Sequence, residues 1–184
     1  MPDRACQAPD DTELVERVRA GDADAFGLLY DRYHVAIYRY VYYHVAHRQD
    51  AEDLTATVFE RALQSLPHFR GSNCRFSTWL YRIAHNAVVD YHRLQRTRRA
   101  LSLEEAHEYV GHDSTDSDRA VDSLDLSDAL AVLPQEQREL LVLRFVDGLG
   151  HDEVAKVLGK NEGACRVGQH RALRALARIL GGGK

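Results

Sequence analysis

The sequence predicts an all-α protein of two small helical domains joined by a flexible acidic linker. Apolar residues recur at three- and four-residue spacing through both halves of the chain, as helices that bury one face require. The stretch SLEEAHEYVGHDSTDSDR interrupts that pattern with few large apolar groups to offset its ordering entropy. The formal net charge of -4 over 184 residues also divides along the chain: -6 over residues 1–60, +7 over 61–100, -8 over 101–130 and +3 over 131–184. Two basic blocks therefore flank an acidic one.

The elements follow in order. TELVERVRAG, DADAFGLLYDRYHVAIYRYVYYHVA and DAEDLTATVFERALQSL read as three helices, with Asp22 and Asp50 placed as N-caps. Pro67 ends the third, and HFRGSNCRFS supplies turn formers for a loop of about ten residues. Helical spacing resumes at Ser77 or Thr78 in TWLYRIAHNAVVDYHRLQRTRR, whose far end is strongly basic. A short helix capped by Ser102 with Glu105 is expected at the start of the linker. Beyond it come DSLDLSDALAVL, a helix entered through Pro134 (QEQRELLVLRFVD), and GHDEVAKVLG joined through Gly159 to a longer helix from near Asn161 to about Leu180. The expected division is a disordered tail at 1–10, a first domain at 11–99, the linker at 100–121, a second domain at 122–180 and a disordered tail at 181–184.

Composition narrows the function. At 45% hydrophobic and 28% charged, the chain is expected to be soluble and globular, with a default location in the cytoplasm. No apolar run has the roughly 18 residues of a membrane span, and the first residues lack a secretory apolar stretch. Cys6, Cys74 and Cys165 are odd in number and widely spaced, which favours free thiols, and Cys165 is expected in the core. The tyrosines of YDRYHVAIYRYVYY are expected to pack the core with their hydroxyls at its edge. No nucleophile with its base and no phosphate-binding glycine loop appears, so no catalytic residue and no cofactor are assigned. His44, His47 and His34 are the best histidine group but lack a full ligand set, so no metal is assigned either.

Three stretches carry chemistry. Short helix, glycine turn and longer helix is the helix-turn-helix order, and Arg166, His170, Arg171 and Arg174 form a cationic stripe opposite Cys165, Ala172 and Leu176. A plain amphipathic hairpin with a solvated basic face has the same pattern. Phe69, Phe76, Trp79 and Tyr81 lie among Arg70, Arg75 and Arg82, with Arg93, Arg96, Arg98 and Arg99 beyond. Rings beside cations suit unstacked bases, because every base offers a flat face while arginines follow the backbone. Phe76 and Trp79 are equally compatible with a core position. Asp50, Asp53 and Thr57 share a helical face with Glu52 adjacent, which suits capping and protein docking better than acid–base chemistry.

Taken in this order, the segments resemble a bacterial sigma-70 family RNA polymerase sigma factor of the extracytoplasmic-function subgroup, over about residues 12–180. AFGLLYDRYHVAIYRYV is similar to region 2.1, DAEDLTATVFERAL to region 2.2, FRGSNCRFSTWLYRIAHNAVVDYHR to regions 2.3 and 2.4, and the chain from Leu133 to Leu176 to region 4. The resemblance implies a region 2 bundle and a region 4 helix-turn-helix. Asp50, Glu52, Asp53 and Thr57 would dock the β′ clamp helices of core polymerase. The loop of Phe69, Arg70, Gly71, Ser72, Asn73 and Arg75 would capture a flipped base of the melted −10 element, supported by Trp79, Arg82, Asn86 and Arg93. Lys160, Arg166, Val167, His170, Arg171 and Arg174 would face the −35 duplex, with Lys160, Arg174 and Arg178 holding phosphates.

The implied function is promoter-specific initiation by an alternative sigma factor, with core RNA polymerase, promoter DNA and an anti-sigma factor as partners. That last partner would hold the protein at the membrane where it is itself membrane-bound. Two rivals are an autonomous helix-turn-helix regulator and a histidine-rich metal-binding helical protein. Three positions depart from the family: Ala56-Thr57 replaces a polar-acidic pair, Cys165 a valine, and Gly168 a larger side chain. Glycine inside a helix costs ~1 kcal/mol against alanine, so Gly168 predicts a more flexible or weaker −35 contact.

Overall fold

The computed structural model describes residues 9–45, 47–71, 74–102 and 126–181, and all regular elements among them are helical. The expected tail at 1–8, most of the acidic linker, its short helix beyond Ser102, and residues 182–184 lie outside the described residues. No described helix is long and apolar enough to cross a membrane.

Four helices form the N-terminal bundle: α1 (Asp11–Arg19), α2 (Ala23–Val45), α3 (Arg48–Ser65) and α4 (Phe76–Ser102). Asp10 caps α1 by accepting from Glu13 N at 2.8 Å, and Asp22 caps α2 by accepting from Asp24 N and Ala25 N at 3.1 and 3.2 Å. The expected Asp50 cap is not formed. The helix opens two residues earlier, with His47 as N-cap, and Asp50 sits inside the first turn, where its charge still favours the helix N-terminus. Pro67 lies in a 3-10 turn, Leu66–His68, that ends α3. Helix α4 starts at Phe76 and continues to Ser102, into what the polar composition marked as linker.

Leu14, Leu29, Ile37, Tyr40, Val41, Val58, Leu66, Leu80 and Val88 are almost completely excluded from solvent and tie α1–α4 together. Tyr40 departs from the expected arrangement of tyrosines, since its ring and hydroxyl are both fully buried.

The C-terminal bundle holds α5 (Leu126–Val132), α6 (Gln135–Leu141), α7 (His151–Leu158) and α8 (Glu162–Gly181). Leu140, Leu141, Val142, Leu143, Val154, Val157, Cys165 and Ala172 form its core. Arg138 donates to the carbonyls of Leu130, Ala131 and Leu133, satisfying the exposed C-terminal acceptors of α5. The stretch QEQRELLVLRFVD is not one α-helix. After Leu141 it widens into a π-helical turn, Val142–Val146, closed by Asp147 N donating to Val142 O at 3.0 Å.

Candidate promoter and polymerase interfaces

A groove of about 220 Å³ separates α3 from α4. Asp50, Asp53, Leu54 and Thr57 line one wall, while Tyr91, Leu94, Gln95 and Arg98 line the other. The 3.6-residue period sets Asp50, Asp53 and Thr57 along one edge. The Tyr91 hydroxyl donates to Asp50 Oδ2 at 2.6 Å, which fixes the carboxylate in direction. Thr57 spends its hydroxyl on the Asp53 carbonyl at 2.9 Å, and Glu52 accepts from Arg48 at 2.9 Å. Sequence spacing found the α3 wall. It missed the α4 wall, because nothing local joins Tyr91 and Leu94 to residues forty positions earlier.

The loop between α3 and α4 rests on an aromatic floor. Phe69 and Phe76 are buried, Trp79 is half-buried, and the Phe69–Trp79 and Phe76–Trp79 ring centroids are 4.8 and 5.5 Å apart. Phe69 therefore turns inward and supports the loop, where the sequence pattern suggested a ring offered to a base. Burial of three large apolar faces outweighs leaving them in water. The rim is polar: Arg70, Gly71 and Arg75 are exposed, and Arg82, Asn86 and Arg93 continue along the outer face of α4. Ser72 and Asn73 lie outside the described residues.

Helices α7 and α8 form the helix-turn-helix. Gly159 adopts φ +63°, the left-handed conformation that ends α7, and Asn161 Oδ1 accepts from Ala164 N at 2.7 Å to start α8. Arg166, Val167, His170, Arg171 and Arg174 are exposed, whereas Cys165 and Ala172 are buried, so the expected stripe exists as one face. Glu162 pairs with Arg166, and Glu136 holds Lys160 at 3.1 Å. Gln169 bonds Arg144 and His151, orienting α8 on the rest of the bundle.

Gly168 has a different role from the one expected. A Cβ built there would lie 2.6 Å from Leu140 Cδ1, so the missing side chain lets α8 approach α6 closely. The close approach gives this glycine a packing role.

The two bundles meet through polar groups. Arg39 of α2 donates to Val146 O at 2.8 Å and to Asp147 Oδ1 at 3.1 Å. Tyr81 faces the same buried carboxylate, yet Asp147 Oδ2 completes no hydrogen bond among the described residues. Burial pushes Asp147 up to about 6 despite Arg39. Arg138 reaches Tyr43 O at 3.5 Å, and His85 Nδ1 lies 3.7 Å from Glu139 Oε1. Burial raises the Glu139 carboxyl and lowers the His85 imidazole, so this contact is not a fully formed ion pair.

Thr78 donates to Glu153 Oε1 at 3.2 Å, with Arg75 Nη1 3.5 Å from the same oxygen. These groups border a cavity of about 350 Å³ lined by Gly71, Cys74, Arg75, Thr78, Asp152, Glu153 and Lys156. None of the joint was legible in the sequence, since it pairs residues separated by 54 to 108 positions.

The histidines are not brought together as ligands. His44 is buried with Nδ1 2.6 Å from Tyr40 O, and burial lowers it to about 3, so the ring is neutral. His47 is exposed at the start of α3.

A helical bundle with a carboxylate-lipped groove and an arginine-rimmed loop, joined to a helix-turn-helix with an exposed cationic face, defines a two-domain promoter-binding class. The chain matches the family models for sigma-70 region 2 over residues 29–98 and sigma-70 region 4 over residues 123–176. It is 43% identical over 171 residues to the extracytoplasmic-function sigma factor BldN of Streptomyces coelicolor, covering 91% of this chain and 65% of BldN. It is 32% identical to SigX of Bacillus subtilis, covering 85% of this chain and 84% of SigX, and 32% identical to SigW of the same organism, covering 90% and 94%. The solved structure of CnrH with the cytosolic domain of CnrY superimposes with a TM-score of 0.71 at 26% identity, over 93% of this chain and 97% of that one. The sigma factor RpoE of Bartonella quintana, solved with NepR, shares the fold at a TM-score of 0.69 and 20% identity, over 86% and 98%.

The chain belongs to the sigma-70 family, within the extracytoplasmic-function sigma factors. It is an alternative sigma factor.

Proposed function

We propose that the three surfaces divide the work of initiation. The α3–α4 groove, with Asp50, Glu52, Asp53 and Thr57 on its acidic side, docks the clamp helices of core polymerase. Tyr91 and Leu94 extend that contact. The Arg70–Arg75 loop and the exposed line of Arg82, Asn86 and Arg93 receive the melted −10 strand, with Phe69 and Trp79 acting from beneath. On α8, Arg166, Val167, His170 and Arg171 read the −35 major groove, while Lys160 and Arg174 hold phosphates. The proposed domain limits are 11–99 for region 2 and 122–180 for region 4, which contain the matched ranges 29–98 and 123–176.

The observation that carries this reading is the separation of the acidic groove from the cationic faces. One chain can then hold polymerase and DNA at once, as initiation demands. A cytoplasmic location follows from that work, and the protein performs no covalent chemistry of its own. CnrH was solved bound to the cytosolic domain of CnrY, and for this chain the partner proposed is an anti-sigma factor.

Run-off transcription on fragmented genomic DNA with core polymerase tests the division. Wild type yields specific new transcripts. Asp50→Ala with Asp53→Ala loses them with core binding, whereas Arg171→Ala loses them with core binding intact. Footprints on duplex DNA without polymerase would instead identify an autonomous regulator.

A further inference from the structure

Helix α8 carries one acid, Glu162, on a face that is otherwise cationic. Glu162 is its first residue, one turn before Arg166, and its Oε1 accepts from Arg166 Nη2. Both side chains stay open to solvent, at 45% for Glu162 and 65% for Arg166. Lys160 is drawn back to Glu136 of α6, whereas no acid faces Arg171 or Arg174 among the described residues. The ordinary uses of a carboxylate do not account for this one. Asn161 Oδ1 already accepts from Ala164 N at 2.7 Å to start the helix, and Glu162 turns along α8 toward Arg166. Attraction to the helix N-terminus would be served as well by an acid turned away from DNA. An exposed pair at this spacing adds little to helix stability, yet a carboxylate on this face repels every phosphate that α8 must approach.

The neighbours of Glu162 show what it reaches. In a helix-turn-helix the first residues of the second helix meet the base edges. Gly163 and Ala164 are exposed and carry almost no side chain, so Glu162 and Arg166 are the first groups of α8 long enough to enter a groove. Their chemistry suits one base step. A guanidinium is a planar fork of N–H donors, and the carboxylate takes one while leaving a pair for O6 and N7 of a guanine. Glu162 Oε2 has no partner among the described residues and can only accept, which matches the N4 amino group of a cytosine. Adenine also offers an amino group, but beside an N7 acceptor that a carboxylate cannot match.

We infer that Glu162 is a specificity-determining residue of the −35 contact: it fixes the Arg166 guanidinium on a guanine, and its second oxygen reads a cytosine of the adjoining base pair. The inference rests on the proposed −35 role of α8. Glu162 gives up general attraction to DNA and gains choice among sequences.

The test uses the full chain as holoenzyme with core polymerase. The probe is duplex promoter DNA recovered by run-off transcription, with its upstream element randomised, and the bound fraction is sequenced. Wild type enriches guanine at one base pair and cytosine at the next. Arg166→Ala loses the guanine. Glu162→Gln sets an amide donor beside the acceptor, the pattern that matches adenine, so preference at the cytosine position moves toward adenine by about tenfold, the size of one base contact. Enrichment of the guanine falls as well, because Arg166 is no longer held by a charge. Glu16→Gln, which removes the same charge beside Arg19 on α1, changes no position. If Glu162→Gln behaves like Glu16→Gln, or weakens every position equally, the inference is overturned, while loss of guanine in Arg166→Ala keeps the −35 reading. If Arg166→Ala and Arg171→Ala also leave every position unchanged, the −35 reading fails and the inference falls with it.

Discussion

The core of the N-terminal bundle and the joint between the bundles are both buried, but by opposite means. In the core, Leu14, Leu29, Ile37, Val58, Leu80 and Val88 bury hydrocarbon against hydrocarbon. In the joint, Arg39, His85, Arg138, Glu139 and Asp147 meet with partial ion pairing and orphaned atoms. Apolar burial stabilises by about 25 cal/mol per Å², whereas each unmatched buried polar group costs about 1–3 kcal/mol. Apolar burial therefore sets the core, whereas polar pairing sets the joint.

Core truncation should break this contrast most severely. Leu80→Ala deletes a fully buried side chain of α4 and should cost about 2–5 kcal/mol in urea denaturation. Its loss should fall on the N-terminal bundle, visible in the fluorescence of Trp79 on the same helix. A smaller effect would mean that the core collapses around the gap.

The two regions should also respond oppositely to pH. Asp147 is held at about 6 in the folded chain, above its ordinary 3.8, so its contribution to stability is present below 3.8 and is lost as pH rises through about 6. Asp147→Asn should remove that dependence, read as a urea midpoint that no longer falls as pH rises through about 6. His44 is held at about 3, below its ordinary 6.5, so its contribution to the N-terminal bundle is present above 6.5 and is lost as pH falls toward 3. His44→Gln should flatten the acid limb of that bundle's stability. If both regions weaken in the same direction after these substitutions, the contrast between core and joint is wrong.

Gly168→Ala should give the smallest change and sharpen the account of the helix-turn-helix. Alanine gains ~1 kcal/mol of helix propensity, but its methyl meets Leu140 Cδ1 at 2.6 Å, where Leu140 is buried and cannot swing aside. Near-cancellation with a slightly lower melting temperature is expected. A raised melting temperature would show that α8 does not need the close approach.

Local pattern reaches some of these features and not others. Gly159 announces the α7–α8 turn because only a left-handed residue ends a helix there cheaply, and Arg166, His170, Arg171 and Arg174 reveal a face because helical spacing is short-range. Asp50 was misplaced as a cap because His47 competes for that position within the same few residues. Phe69 and Trp79 looked available to bases because composition does not distinguish a ring beneath a loop from a ring on top of it. Gly168 looked like a weak point because its reason, Leu140, lies on another helix.

By itself the sequence determined the helices, the order of the two bundles, the acidic face of α3 and the cationic face of α8, all of which rest on spacings of a few residues, and its resemblance implied the family. Only the tertiary structure decided that Tyr91 would orient Asp50, that a π-helical turn would carry Asp147 to Arg39, and that Glu153 would reach Thr78 and Arg75. Those contacts join residues far apart in the chain, and their energies depend on which surfaces the packed helices leave facing one another.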